Sequence, residues 1–169
     1  MQVLRSMGVR HEVTGKGGQL PRSPHESGGV GVVRCPRVAI DHIGLGVPDV
    51  DAARAYYDEF MPLVGFVRQW DTGYRATDWY GAQIFLYPTL EDGEYSRHRT
   101  GLQHISFHVP TRADVHRVHE WAKERGHEIV HEPKLFPEYH ERFYATFFLD
   151  MHGFMLEAVT YEELDAGTA

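Results

Sequence analysis

The chain has 169 residues, enough for one domain with a real core, and a hydrophobic fraction of 42% suits a folded protein. A formal net charge of −7 argues against nucleic acid or an anionic membrane surface as partner. No apolar run approaches the ~20 residues of a membrane-spanning helix, the N-terminus lacks the apolar core of a secretory signal, and Cys35 alone permits no disulfide framework, which fits a reducing cytoplasm.

Residues 1–36 are rich in Gly, Ser, Arg and Pro and show no apolar period. Such a stretch buries too little surface to offset its ordering entropy, so it reads as a flexible extension, with Met7 as an alternative start. The folded domain is expected over 37–161, as module one at 37–88 and module two at 101–161, followed by a frayed polar tail at 162–169.

Module one opens with a predicted strand from Val38 to Val47, stopped by Pro48. Asp49 is a good N-cap, and Val50, Ala53, Tyr57 and Phe60 recur at helical spacing until Pro62 and Gly65. Three extended runs follow: Phe66 to Trp70, Arg75 to Trp79 and Ala82 to Tyr87. Residues 88–100 are polar and read as a linker. Their cluster Arg97-His98-Arg99 is taken as solvated, closure over an anionic substrate being the other reading.

Module two repeats the plan. A strand is predicted from Leu102 to Val109, and Thr111 with Asp114 resembles a capping box. Val115, Val118 and Ala122 face a core, and Gly126 ends the helix. His127 to Glu132 reads as a strand that Pro133 terminates, with a loop from Lys134 to Glu141. Strands from Arg142 to Leu149 and from Phe154 to Thr160 close the fold around the turn Asp150-Met151-His152-Gly153.

The two opening strands are copies of each other. Asp41-His42-Ile43-Gly44-Leu45-Gly46-Val47-Pro48 recurs 62 positions later as Gln103-His104-Ile105-Ser106-Phe107-His108-Val109-Pro110. Each alternates with period two, so one face is apolar and the other offers a histidine followed by small or polar residues, as a cavity-lining strand does. In the last strand Glu157 shares a face with Met155 and Val159. A carboxylate there is expensive to bury unless it is paired or metal-bound. His42, His104 and Glu157 converging on one cation would explain all three residues, because two histidines and a carboxylate leave coordination positions open for substrate. Separately satisfied polar residues, such as Glu157 paired with an arginine, are the alternative. His116 and His119, three apart on a helix without an evident third ligand, read as a solvated flank.

With Ala53-Arg54-Ala55-Tyr56-Tyr57-Asp58 and the stretch Phe148 to Glu157, the paired His-Ile strands make residues Val38 to Tyr161 resemble the vicinal oxygen chelate superfamily. That group includes glyoxalase I, extradiol dioxygenases, fosfomycin-resistance transferases and bleomycin-binding proteins. Met151-His152 departs from its usual turn. The resemblance implies an α+β fold of two βαβββ modules forming a curved sheet around a central cavity. It implies a divalent ion (Fe, Mn, Ni, Co, Zn or Mg) on His42, His104 and Glu157, with Phe85 standing where glyoxalase I has a fourth, acidic ligand. His108 and Tyr144 are then catalytic candidates. The expected protein is a cytoplasmic, homodimeric dioxygenase, lyase or isomerase that chelates a small oxygen-bearing substrate. The alternative is a non-catalytic, drug-binding protein of the bleomycin-resistance type.

Overall fold

The computed structural model describes residues 40–77, 81–91 and 93–162. The expected extension at 1–36, the start of the first strand at Val38, the end of the run toward Trp79 and most of the expected tail lie outside the described residues. Module one consists of β1 (His42–Val47), α1 (Val50–Phe60), a 3-10 turn (Met61–Val64), β2 (Phe66–Trp70), β3 (Gly73–Ala76) and β4 (Gln83–Pro88). Module two consists of β5 (Ile105–His108), α2 (Arg112–Glu124), β6 (Ile129–Leu135), β7 (Tyr144–Leu149) and β8 (Met155–Thr160).

Each module forms a four-stranded mixed sheet, in the order β1-β4-β3-β2 and β5-β8-β7-β6. The first strand of each module runs parallel to the last, which it can reach only because a helix crosses over between them. The caps form as the sequence requires: Asp49 accepts from the Ala52 amide at 2.9 Å, and Thr111 and Asp114 bond reciprocally. Gly153 takes φ +83 in the turn before β8, a conformation that other residues rarely adopt.

One core joins the modules. Phe60 from α1 meets Phe107 of β5 at 5.4 Å and Phe148 of β7 at 5.7 Å, and Tyr56 meets Trp121 of α2 at 5.4 Å. A polar contact also crosses between modules, from the buried Tyr57 hydroxyl to Asp150 Oδ2 at 2.6 Å. The other carboxylate oxygen of Asp150 accepts from the His152 and Phe154 amides, both at 2.8 Å. A second cluster, of Phe136, Ala145, Phe147, Met155 and Val159, covers the opposite face of the module-two sheet. Strand β8 is therefore buried on both faces along its whole length.

Three expectations change. Pro133 does not end its strand, because β6 is an edge strand and continues to Leu135, with irregular pairing around His131 and Lys134. His119 is not solvated: it is 2% exposed on the inner side of α2, near Thr146 Oγ1 at 3.4 Å and Glu132 at 2.9 Å. Glu162, placed by sequence in the tail, accepts from the Arg112 amide at 2.6 Å and so satisfies a free donor at the start of α2.

Candidate functional site

Glu157 is carried on β8 and faces the second cluster between Met155 and Val159. Its side chain is 1% exposed. Its partner is His104, just before β5, whose Nε2 lies 3.2 Å from Glu157 Oε2. Burial pushes the carboxyl of Glu157 up from its ordinary value, and the Ser106 hydroxyl across the strand pair pulls partly back. Oε1 nonetheless has no hydrogen bond of good geometry. Burial also pushes the His104 imidazole down, toward its neutral form.

The side chain preceding each histidine fixes its ring. Gln103 Oε1 is bonded to Nδ1 of His104, and Asp41 Oδ2 to Nδ1 of His42 at 2.8 Å. A carbonyl or carboxylate oxygen can only accept, so both Nδ1 atoms donate. In the neutral ring, Nε2 then presents a lone pair. At His104 that lone pair confronts a carboxylate oxygen, an arrangement that needs a proton or a cation between the two.

That need is the test of whether these residues fit a divalent ion, and they meet it. The donors are one imidazole nitrogen and one carboxylate oxygen, with a further oxygen unpartnered and the other ring nitrogen anchored, as metal-bound histidines generally are. The 3.2 Å separation is also that of neighbouring ligands on an ion with bonds of about 2.0–2.2 Å.

His42 is not part of this group within one chain. Among the described residues no three His, Cys, Asp or Glu side chains are grouped closely enough to hold a metal. His42 lies on β1, half-exposed, with its ring edge-on to Phe85 at 5.8 Å. The strand registers show how the modules correspond: Gly44 stands opposite Phe85 as Ser106 stands opposite Glu157. Phe85 thus holds in module one the place of the acid in module two.

The other candidates lie apart from the His104–Glu157 pair. His108 is exposed on β5, stacked on Tyr161 at 6.1 Å, and lines an apolar cleft of about 510 Å3 between the modules. Tyr144 packs against the core shared by the helices, its hydroxyl 2.8 Å from His116 Nε2 and its ring beneath Arg112. In front of His104 and Glu157 opens a cavity of about 350 Å3, walled by Phe136, Phe143, Phe147 and Met155, with Arg97 at one side and Tyr139 at the mouth. Sequence reading passed over Asp41 and Gln103, although a polar residue precedes the histidine in both copies of the repeat. It also left Arg97 in the solvent.

Two βαβββ modules, each with a four-stranded mixed sheet, define the fold class. The chain belongs to the Glyoxalase/Bleomycin resistance protein/Dioxygenase superfamily, whose family model matches residues 39–158. It is 29% identical over 98 residues to the uncharacterized Bacillus subtilis protein YqjT, covering 53% of this chain and 73% of that one. A glyoxylase/bleomycin resistance protein/dioxygenase domain from Frankia sp. EAN1pec superposes with TM-score 0.58 at 23% identity, covering 74% of this chain and 98% of that one. A glyoxalase/dioxygenase from Nostoc punctiforme gives 0.58 at 20% identity, covering 80% and 100%. At these identities the solved structures speak to the fold. The superfamily includes enzymes and small-molecule binders, often metal-dependent. Among the described residues no helix is long and apolar enough to cross a membrane.

Proposed function

We propose that the protein is a divalent-metal-dependent enzyme acting on a small oxygen-bearing substrate, with His104 and Glu157 of one copy and His42 of a second copy as the protein ligands. The observation that carries this reading is the His104–Glu157 pair: an imidazole nitrogen 3.2 Å from a buried carboxylate that has one oxygen unpartnered, with the other ring nitrogen bonded to Gln103. When bound, the ion supplies Lewis acidity to two neighbouring substrate oxygens.

The role of a second copy is argued from the edges. Among the described residues β1 pairs only with β4 and β5 only with β8, so each module ends in an open strand that begins at, or just after, its histidine. Open edges are templates for pairing. Beside β1, Tyr87 of β4 is 51% exposed, apolar surface that a partner would cover. A two-fold dimer placing β1 of one copy along β5 of the other would bring His42 toward His104 and form the site twice.

In this reading Asp41 and Gln103 hold the imidazoles in the ligating tautomer, and Phe147 and Met155 keep water from the carboxylate. His108, at the cleft between the modules, is the candidate for moving a proton. Tyr144, bonded to His116, has a packing role. The aromatic lining of the cavity also favours a second reading, a protein that sequesters a flat ligand without chemistry.

Metal analysis after anaerobic purification separates the two readings: stoichiometric metal in the wild type is expected, and a metal-free protein that binds ligand supports sequestration. The shared site is tested by mixing His42→Ala with His104→Ala protein. Each alone should lose metal, while random subunit exchange should restore about a quarter of the sites. No recovery despite verified exchange would rule out ligands drawn from two copies.

A further inference from the structure

We propose that the cavity above His104 and Glu157 selects a flat, single-ring substrate carrying a carboxylate, and that Arg97 binds that carboxylate. The inference rests on reading this cavity as the substrate site and adds the class of molecule it takes.

Arg97 is the one arginine of its linker cluster that turns inward; His98 and Arg99 are exposed. Its guanidinium reaches over the cavity wall, Nη1 lying 3.4 Å from Met155 Sδ. A thioether is a weak acceptor, and a guanidinium carries five donors in a planar fork matched to a carboxylate. Among the described residues no acid forms an ion pair with Arg97, although the chain is acidic overall. A cationic fork in a pocket, resting on sulfur, is placed to take its anion from a ligand.

The walls set the shape. Phe136 meets Phe147 at 5.4 Å and Phe143 at 6.1 Å, both nearly perpendicular, and Tyr139 stacks on Phe136 at 5.9 Å. Such a box offers ring faces and edges to a flat apolar body. A volume of about 350 Å3 is near the low end for ligand pockets, which suits one ring better than a fused system. Length agrees as well. Met155 and Glu157 are same-face neighbours on β8, and such neighbours lie about 6.6 Å apart. The anion-binding end and the His104–Glu157 floor are therefore separated by about the length of one substituted ring.

Benzoate and its neutral isostere benzamide test this by calorimetry, on chelator-treated and cobalt-loaded wild type, Arg97→Gln and Arg97→Lys, with folding checked by thermal melting. Chelator-treated wild type should bind benzoate at least about tenfold more tightly than benzamide, the scale of a charge-assisted bidentate contact. Arg97→Gln should abolish the preference, and Arg97→Lys should keep part of it by charge without the fork. Equal affinities in the wild type, a preference surviving in Arg97→Gln, or no binding of either compound would overturn the proposal. Cobalt uptake is read on the same samples. A protein that takes up no cobalt but keeps an Arg97-dependent preference would sink the metal reading and leave this one intact.

Discussion

The two modules share a plan, a topology and a strand register, yet among the described residues only module two carries a buried acid in its last strand. In module two the face of β8 opposite Ser106 presents Glu157 to a cavity. At the same point of module one stands Phe85, its ring against Trp70 at 5.1 Å and Tyr87 at 6.4 Å. Gly73 makes room for it: a Cβ there would lie 2.6 Å from the Phe85 ring. Module one has thus filled with aromatic carbon the position that module two leaves to a carboxylate. One half of a repeat can keep the costly residues while the other supplies scaffold, one histidine and an apolar edge.

Removing a proposed ligand from module two gives the largest expected effect. His104→Ala and Glu157→Ala should each lower divalent-metal affinity more than about a hundredfold, and the double variant little further, because one loss already opens the site. Calorimetric titration with cobalt measures this, and full affinity in either variant removes that residue from the site. Tyr57→Phe probes the bond between the modules and comes next. It leaves one oxygen of the buried Asp150 without its 2.6 Å partner, at a cost of about 2–3 kcal/mol. Chemical denaturation should show that loss as a lower midpoint at unchanged slope, and an unchanged midpoint would mean that the contact is idle. Gln103→Ala is smaller and more specific. Loss of the bond that orients His104 should weaken metal about ten- to a hundredfold with little change in stability.

Much of the comparison was already legible in the chain. The His-Ile repeat announced equivalent strands, and the family resemblance set Phe85 at the acid position of module one, which the registers place opposite Gly44 as they place Glu157 opposite Ser106. Caps at Asp49 and Thr111 were legible because a side chain bonds its own backbone, a local event. What escaped was long-range. Pro133 looked like a terminator because the sequence does not say which strand lies at an edge. His119 looked like surface until Thr146 and Glu132 were found beside it. Arg97 sits in a polar stretch whose composition speaks for solvent, and only the position of Met155 turns it inward. The three-ligand grouping we propose would cross edges that one chain leaves open, so no single-chain pattern could display it.

The smallest effect is the most diagnostic, since its sign is opposite to that of an ordinary core substitution. The folded-state pKa of Glu157 is raised above its ordinary 4.5 by burial. The folded protein without metal therefore binds the Glu157 proton more tightly than the unfolded chain does. Ionised Glu157 costs stability at neutral pH, and that cost fades as pH falls through the raised value toward 4.5. Glu157→Gln removes the charge and keeps the shape, so in chelator-treated protein it should raise stability at pH 7 by about 1 kcal/mol, the low end of relieving an unsatisfied buried polar group. The gain should shrink as pH approaches 4.5, and a structural ion pair with His104 would give a loss instead. Added metal should reverse the order at pH 7, because only the wild type has a carboxylate to bind it. Phe85→Leu, at the matching point of module one, should show neither the pH dependence nor the reversal. Thermal melts across pH, with and without cobalt, decide between a residue kept for binding and one kept for the fold.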